Sequence, residues 1–436
     1  MAARLPTEPP RGMRDILPAE ADLRDAAAET VLTVYRRYGF RRIETPALES
    51  LQLLTGGGGG ENEKLIFKVL KRGEKLDLGA AVTEADLADL GLRFDLTVPL
   101  ARYYAHNHAK LPDPLKAVQI GPVWRAERPQ RGRYRQFTQC DIDILGVASE
   151  IAEIELILAT TEALGALGLD GLTVRINDRR LLAAMATWCG FDPARHASVF
   201  ITLDKWDKLS PSEIRQELEQ AGHPPPAVAR MMELYGRASP QRSLSAMRSQ
   251  LGTSSAEGAF AALSRIVHTV EAAAGGRFRI DFDPTLARGM GYYTGPIFEI
   301  SSSRFAAGSL AGGGRYDNMI GELLARDVPA TGFSIGFERV VDLLGKMQGG
   351  TARGDKRIAL LFEESTPDLG GVLAAAQALR AQGYLVALER QARNAGAQRA
   401  ALEKQGYDGV ATVGSGGLAN LQWFAERALR QSGGRE

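Results

Sequence analysis

The chain has 436 residues, 44% of them hydrophobic and 24% charged, with a formal net charge of +1. At about 100–200 residues per domain, that length calls for two or three cores. The ordinary composition excludes disorder over most of the chain. The near-neutral balance excludes a protein that coats nucleic acid by bulk charge, yet it leaves room for a local basic patch. Two distant cysteines, Cys140 and Cys189, build neither a disulfide framework nor a zinc spacing, which fits a reducing compartment. The five histidines do not cluster as metal ligands. The opening MAARLPTEPPRGMRD lacks the apolar core of a signal peptide. With no apolar run of about 18 residues, no membrane span is expected and the expected address is cytoplasmic.

In chain order, Pro18 to about Tyr38 carries Leu23, Ala27, Val31 and Tyr35 on one helical face, and Gly39 stops it. FRRIETPALES reads as a strand whose Pro46 marks an edge or interface. The Gly56–Gly60 run is a loop, not a phosphate cradle, because no Lys-Ser or Lys-Thr follows it. KLIFKVL reads as a strand, and GLRFDLTVPLARYYA as strand, turn and helix. KAVQIGPVWRAE and YRQFTQCDIDILG read as a hairpin with a long, arginine-rich tip. Residues 147–167 form an apolar-faced helix.

Between about 175 and 275 helices dominate. Ser210, Pro211 and Glu213 compose a capping box, and Pro224–Pro226 reads as a loop. Strand patterns return with FRIDFDP, GYYTGPIFEI and FAAGSL. AGGGRYD reads as a glycine-rich turn into a helix, and GFSIGFERVVDLLG as a helix entry. KMQGGTARGDK (346–356) reads as a linker. Beyond it, strands alternating with helices predict a small parallel α/β domain, ending in a helical tail, LANLQWFAERALRQSGGRE.

The chemistry concentrates in WRAERPQRGRYRQFTQCDID, residues 124–143. Its first part holds Arg125, Arg128, Arg131, Arg133 and Arg135 against one acid, Glu127. Such a tip is either a solvated, nucleic-acid-facing loop or a phosphate site. The strand after it carries Gln139, Asp141 and Asp143 on one face, where a core strand places aliphatics. Buried carboxylates need a cationic partner, and a ligand ammonium could supply one. Arginine suits phosphate oxygens, because its planar fork bonds two of them and its charge does not titrate away. Arg125, Arg288 and Arg339 lie in three distant segments, each at a strand end or helix entry. In RGMGYYTG, Tyr292 and Tyr293 read as neighbours on a strand, facing opposite sides. In LRFDLT, Asp95 and Thr97 read as sharing one face of a strand, as a pocket wall or as an ordinary solvent face.

ETPALE with Pro46, the run from Val123 through FTQCDIDILG, and GFSIGFERV resemble the three signature motifs of class II aminoacyl-tRNA synthetases. LARGMGYYTG and AGGGRYD resemble the two motifs peculiar to the histidine–tRNA ligase family. LRFDLTVPLARY and INDRR are most similar to its eukaryotic and archaeal branch. The resemblance covers roughly residues 10–340 and is looser beyond 357. It implies an α+β fold: a catalytic core built on a six-stranded antiparallel sheet flanked by helices (residues 1–174 and 276–345), interrupted by a helical insertion (175–275) and followed by an anticodon-binding-like α/β domain (357–436). It implies ATP-dependent activation of histidine, transfer to histidine tRNA, Mg²⁺ arriving with the triphosphate, and a homodimer.

Residue by residue, the resemblance implies that Arg125 binds the α-phosphate. Glu127, Arg133 and Phe137 hold adenosine and the bent triphosphate, and Arg339 clamps the γ-phosphate. Asp95, Thr97, Gln139 and Asp143 bind the ammonium group of histidine, and Tyr292 and Tyr293 line the imidazole pocket. Arg288 joins Arg125 in stabilising the transition state, and Gln130 meets the tRNA acceptor end. Gly291 stands where the family has an acid, and the last strand pair of the anticodon domain is not legible in the tail. Two alternatives stand beside this reading. One is the histidine-binding, non-catalytic regulatory subunit of ATP phosphoribosyltransferase. The other is a synthetase-like protein with an acceptor other than tRNA.

Overall fold

The computed structural model describes residues 5–56, 62–79, 83–129, 134–236, 243–252, 256–288, 291–304, 308–347, 356–414 and 417–424. The chain divides into two units: Met1–Asp15 with Ala27–Asp342, and Ile16–Ala26 with Leu343–Glu436. The first contains strands β1 (Arg41–Arg42), β2 (Leu48–Ser50), β3 (Lys68–Leu70), β4 (Ala88–Leu92), β5 (Leu115–Trp124) and β6 (Gln136–Leu145). It continues with β7 (Leu172–Asp178), β8 (Arg279–Phe282), β9 (Pro296–Ser302), β10 (Ala311–Arg315) and β11 (Ala330–Ile335). The second contains β12 (Arg357–Phe362), β13 (Leu385–Arg390), β14 (Gly409–Gly414) and β15 (Gly417–Trp423).

The large sheet of the first unit runs β1-β5-β6-β11-β10-β9-β7-β8. The fold is α+β, but the expected six-stranded antiparallel sheet is an eight-stranded mixed one. Neighbours from β5 to β7 pair antiparallel, while β1 joins β5 and β8 joins β7 in parallel. A parallel neighbour needs a long crossover. Between β7 and β8 that crossover is the helical stretch itself, from Arg179–Cys189 to Glu257–Ala274. The line expected between residues 174 and 175 therefore falls inside β7.

Most local readings rest on the physics that suggested them. The first helix spans Pro18–Arg37, with Ala27, Val31 and Tyr35 buried. The β5–β6 hairpin pairs from Leu115↔Leu145 to Trp124↔Gln136. Ser210 caps Pro211–Gln220 in a capping box with Glu213. The prolines expected to break the chain instead open the helix Pro225–Gly236, where a missing N–H costs nothing. ETPALE is two short strands, β1 and β2, with Pro46 between them. AGGGRYD is not a turn: Ala311–Arg315 is strand β10, inside the sheet. The helix Ile151–Ala166, apolar on nearly every side, packs on β6, β10 and β11.

In the second unit β13, β12 and β14 are parallel, and β15 closes antiparallel on β14. The tail expected to be helical is thus a strand as far as Trp423. It pairs with β14 from Gly409↔Trp423 to Gly414↔Gly417 and covers an edge of β14 that would otherwise stay unpaired. Among the described residues, no helix is long and apolar enough to cross a membrane.

Candidate active site

Strand β6 alternates cleanly. Cys140, Ile142 and Ile144 point into the core, while Gln139, Asp141 and Asp143 line a cavity of about 320 Å³. The same cavity is lined by Asp95, Thr97, Arg125, Glu127, Phe137, Arg288, Tyr292, Tyr293 and Arg339. The fold therefore gathers every candidate that it describes, from segments more than 200 residues apart. Gln130 and Arg133 lie outside the described residues.

Three aspartates form a buried acidic wall. Asp95, Asp141 and Asp143 are each at most 3% exposed. Burial pushes Asp95 up to about 6, against the Val98 amide that donates to its Oδ1 and against the charge of Arg125. Burial likewise pushes Asp143 up to about 7, although Tyr316 Oη donates to its Oδ1 at 2.6 Å. Asp141 is raised by burial and then by the neighbouring charge of Asp143. Asp95 Oδ2, Gln139 Oε1, Asp141 Oδ1 and Asp143 Oδ2 are buried with no hydrogen-bond partner among the described residues. Unpaired buried acceptors are costly, so four of them facing one cavity fit a cationic donor such as an ammonium group.

The arginines are held rather than loose. Arg125 Nε donates to Phe94 O at 3.0 Å, and its guanidinium lies 5.0 Å from the centre of the Phe137 ring. Arg339, exposed on the helix Phe337–Met347, donates to Ser309 O at 2.7 Å. Arg288 has φ of 55°, a left-handed conformation uncommon outside glycine, and donates to Glu299 Oε2 at 3.1 Å. The loop that carries it is pinned from below. Asn177 Nδ2 donates to Pro284 O and Leu286 O, and Arg179 Nη1 donates to Ala287 O.

The glycines of β10 and β11 make the room. A Cβ on Gly312 would overlap the guanidinium of Arg288, and one on Gly332 would overlap Asp143 Oδ1. A Cβ on Gly314 would come 2.9 Å from the Tyr293 ring. These strands are stripped of side chains so that charged groups from elsewhere can lie across the sheet.

Two pairs sit differently from expectation. Tyr292 and Tyr293 precede β9 in a turn, with ring centres 4.8 Å apart, and both line the cavity. Pro296, which opens the strand, follows them. Asp95 and Thr97 are not on a strand either. β4 ends at Leu92, and Asp95 caps the amide of Val98 at the entry to the helix Thr97–Asn107. Gly291 is exposed, with nothing among the described residues within 4 Å of an added Cβ. Sequence reasoning set Asp141 on the polar face of β6 but assigned it no role. It also missed Tyr316 and Glu299, whose roles depend on strands distant in sequence.

The histidyl-tRNA synthetase family model matches residues 12–340. The chain belongs to the histidyl-tRNA synthetase family. It is therefore an enzyme of the histidine–tRNA ligase class, a class II aminoacyl-tRNA synthetase. It is 46% identical over 406 residues to the histidine–tRNA ligase of Leifsonia xyli subsp. xyli, covering 89% of this chain and 91% of that one. It is 40% identical over 415 residues to the probable histidine–tRNA ligase of Tropheryma whipplei strain Twist, covering 92% and 94%. Among solved structures, the histidyl-tRNA synthetase of Nostoc sp. PCC 7120 superposes with a TM-score of 0.76 at 26% identity, covering 94% of this chain and 92% of that one. The regulatory-subunit alternative is the less supported, since the curated relatives bear the ligase name.

Proposed function

We propose that this cavity activates histidine with ATP and passes the histidyl group to the 3′ end of histidine tRNA. The observation that carries the reading is the pairing of an acidic wall, with four unpartnered buried acceptors, and a set of fixed arginines in one cavity. The wall takes the ammonium group of free histidine through Asp95, Thr97, Gln139 and Asp143. Tyr292 and Tyr293 enclose the imidazole. Phe137 stacks on adenine, Glu127 and Arg133 hold the nucleotide, and Arg339 binds the γ-phosphate, with Mg²⁺ entering as part of the triphosphate.

The α-carboxylate of histidine attacks the α-phosphorus, the bond to the bridging oxygen breaks, and pyrophosphate leaves. Negative charge builds on the α-phosphoryl oxygens, where Arg125 and Arg288 stabilise it without reorganising. The ribose hydroxyl of the tRNA end then displaces AMP from the adenylate. Gln130 contacts that end, and residues 357–436 read the anticodon. A homodimer joined through the ETPALE segment and a cytoplasmic address belong to the same reading.

The deciding experiment is histidine-dependent ATP–pyrophosphate exchange, with the other amino acids as controls, followed by transfer of labelled histidine to tRNA. Exchange with histidine alone, then charging of tRNA, is the expected result. Histidine binding without exchange would return the regulatory-subunit reading, and exchange without tRNA charging would point to another acceptor.

A further inference from the structure

Among the described residues, Glu299 is the one carboxylate that contacts both Arg288 and a second arginine. It lies in the middle of β9, in register with Arg175 of β7 on one side and with Gly312 of β10 on the other. Its Oε2 accepts from Arg288 Nη1 at 3.1 Å, and its Oε1 stands 3.8 Å from Arg175 Nη1. The side chain is only 17% exposed, so solvent screens these charges weakly. The missing side chain of Gly312 lets the Arg288 guanidinium settle beside Glu299. Without that carboxylate two guanidinium groups would face each other across a strand.

Arg175 reaches further. Its Nε donates to Asp283 Oδ2 at 2.7 Å, and its Nη1 donates to Asp207 Oδ2 at 2.6 Å. Asp283 also accepts from the Thr285 amide and hydroxyl, at the start of the loop that presents Arg288. Asp207 follows the helix His196–Leu203, within the helical stretch between β7 and β8. One continuous chain of ion pairs thus runs from that stretch through Arg175 and Glu299 to Arg288.

We propose that Glu299 is a positioning residue for Arg288, and that Arg175 ties its setting to the seating of the helical stretch through Asp207. The proposal rests on the reading of Arg288 as a transition-state arginine. Arg288 sits on a left-handed backbone, and its guanidinium is held in the cavity by its bond to Glu299. A guanidinium displaced by about 1 Å can lose on the order of 100-fold in rate. A change in the seating of the helical stretch would alter the rate of adenylate formation by this route, through Asp207, Arg175 and Glu299 alone.

The test is steady-state ATP–pyrophosphate exchange on the full-length protein, with melting temperature followed in parallel. Glu299→Gln keeps the shape and removes the charge. It is expected to lower kcat by about 10-fold or more while leaving KM for histidine and ATP near wild type, with the lost ion pair lowering the melting temperature but leaving the protein folded at the assay temperature. Asp207→Asn, at a 59% exposed position where folding is not at risk, is expected to show the same signature more weakly. If Glu299→Gln fails to fold, Arg175→Lys reads the same link. Arg288→Ala separates the two layers. If it is inactive while Glu299→Gln keeps wild-type kcat, the positioning role is overturned and the assignment of Arg288 stands. If it retains exchange, the assignment of Arg288 fails and the positioning role falls with it. Wild-type kcat in Asp207→Asn, with a loss in Glu299→Gln, would overturn the tie to the helical stretch. A rise in KM, or a fall in melting temperature that accounts for the lost rate, would make Glu299 merely structural.

Discussion

Gly312 and Arg288 compete for one space: any Cβ on Gly312 would overlap the guanidinium that Glu299 holds beside it. Gly312→Ala therefore expels Arg288 from its place without touching the backbone of β10, whose geometry suits any residue. Exchange activity should fall by on the order of 100-fold, with circular dichroism and melting temperature close to wild type. Gly313→Ala makes the contrast. A Cβ there would overlap the backbone carbonyl of Gly332 in the neighbouring strand, so the loss should appear as failed folding. A fully active Gly312→Ala enzyme would mean that Arg288 works from some other position.

That glycine run also shows where the sequence stops being legible. Glycine is read as a turn because it tolerates left-handed backbone. In β10 it is used for a different property, its lack of a side chain, and only the distant Arg288 and Asp143 reveal the need. The alternation of Gln139, Asp141 and Asp143 was legible because strand periodicity is local. Tyr292 and Tyr293 drew notice as a pair, but their turn was hidden by the strand pattern that begins at Pro296. The runs FRRIETPALES and FRIDFDP, which hold the edge strands β1 and β8, read as strands, but their parallel pairing was not legible, because two to four residues carry no local sign of the neighbour they join. Tyr316 and Glu299 are ordinary residues until the register of β6, β9 and β11 places them.

The acidic wall predicts an unusual pH dependence of stability. Burial pushes Asp143 from the ordinary 3.8 up to about 7 in the fold. Because the folded form holds its proton more tightly, the contribution of Asp143 to stability is full below about pH 4. It is lost as pH rises through 7. Asp95, pushed up to about 6, acts in the same direction. Asp143→Asn should therefore melt a few degrees above wild type at pH 8 in the absence of histidine, with the difference vanishing near pH 4. On the proposed reading of Asp143 as a partner of the histidine ammonium, the same variant should raise KM for histidine by about 10-fold or more, through loss of a charge-assisted bond. A melting curve in which the variant gains nothing at pH 8 would show that Asp143 is ionised at no cost in the fold.

A second buried carboxylate, Glu153, has its cationic partner within the protein, so here removing the partner, not the carboxylate, should cost stability. Arg315, at the end of β10, donates from Nε and Nη2 to Glu153 at 2.6 and 2.9 Å. Its Nη1 donates to Val147 O and to Asp317. Glu153 is fully buried on the helix Ile151–Ala166. Arg315→Met would fill similar volume and strand that carboxylate, costing roughly 3–5 kcal/mol. Asp317 also accepts the Ala330 amide at the start of β11 and donates its own amide to Thr294, beside the two tyrosines. The part of the cavity lined by Tyr292 and Tyr293, the histidine pocket of the proposed reading, should therefore loosen along with the sheet. Adding Glu153→Leu removes the stranded charge, and the double variant should recover most of the lost stability in a urea melt while KM for histidine stays raised. Recovery of both would place Arg315 outside the pocket's support. Recovery of neither would mean that the Val147 and Asp317 bonds, rather than the ion pair, hold the helix to the sheet.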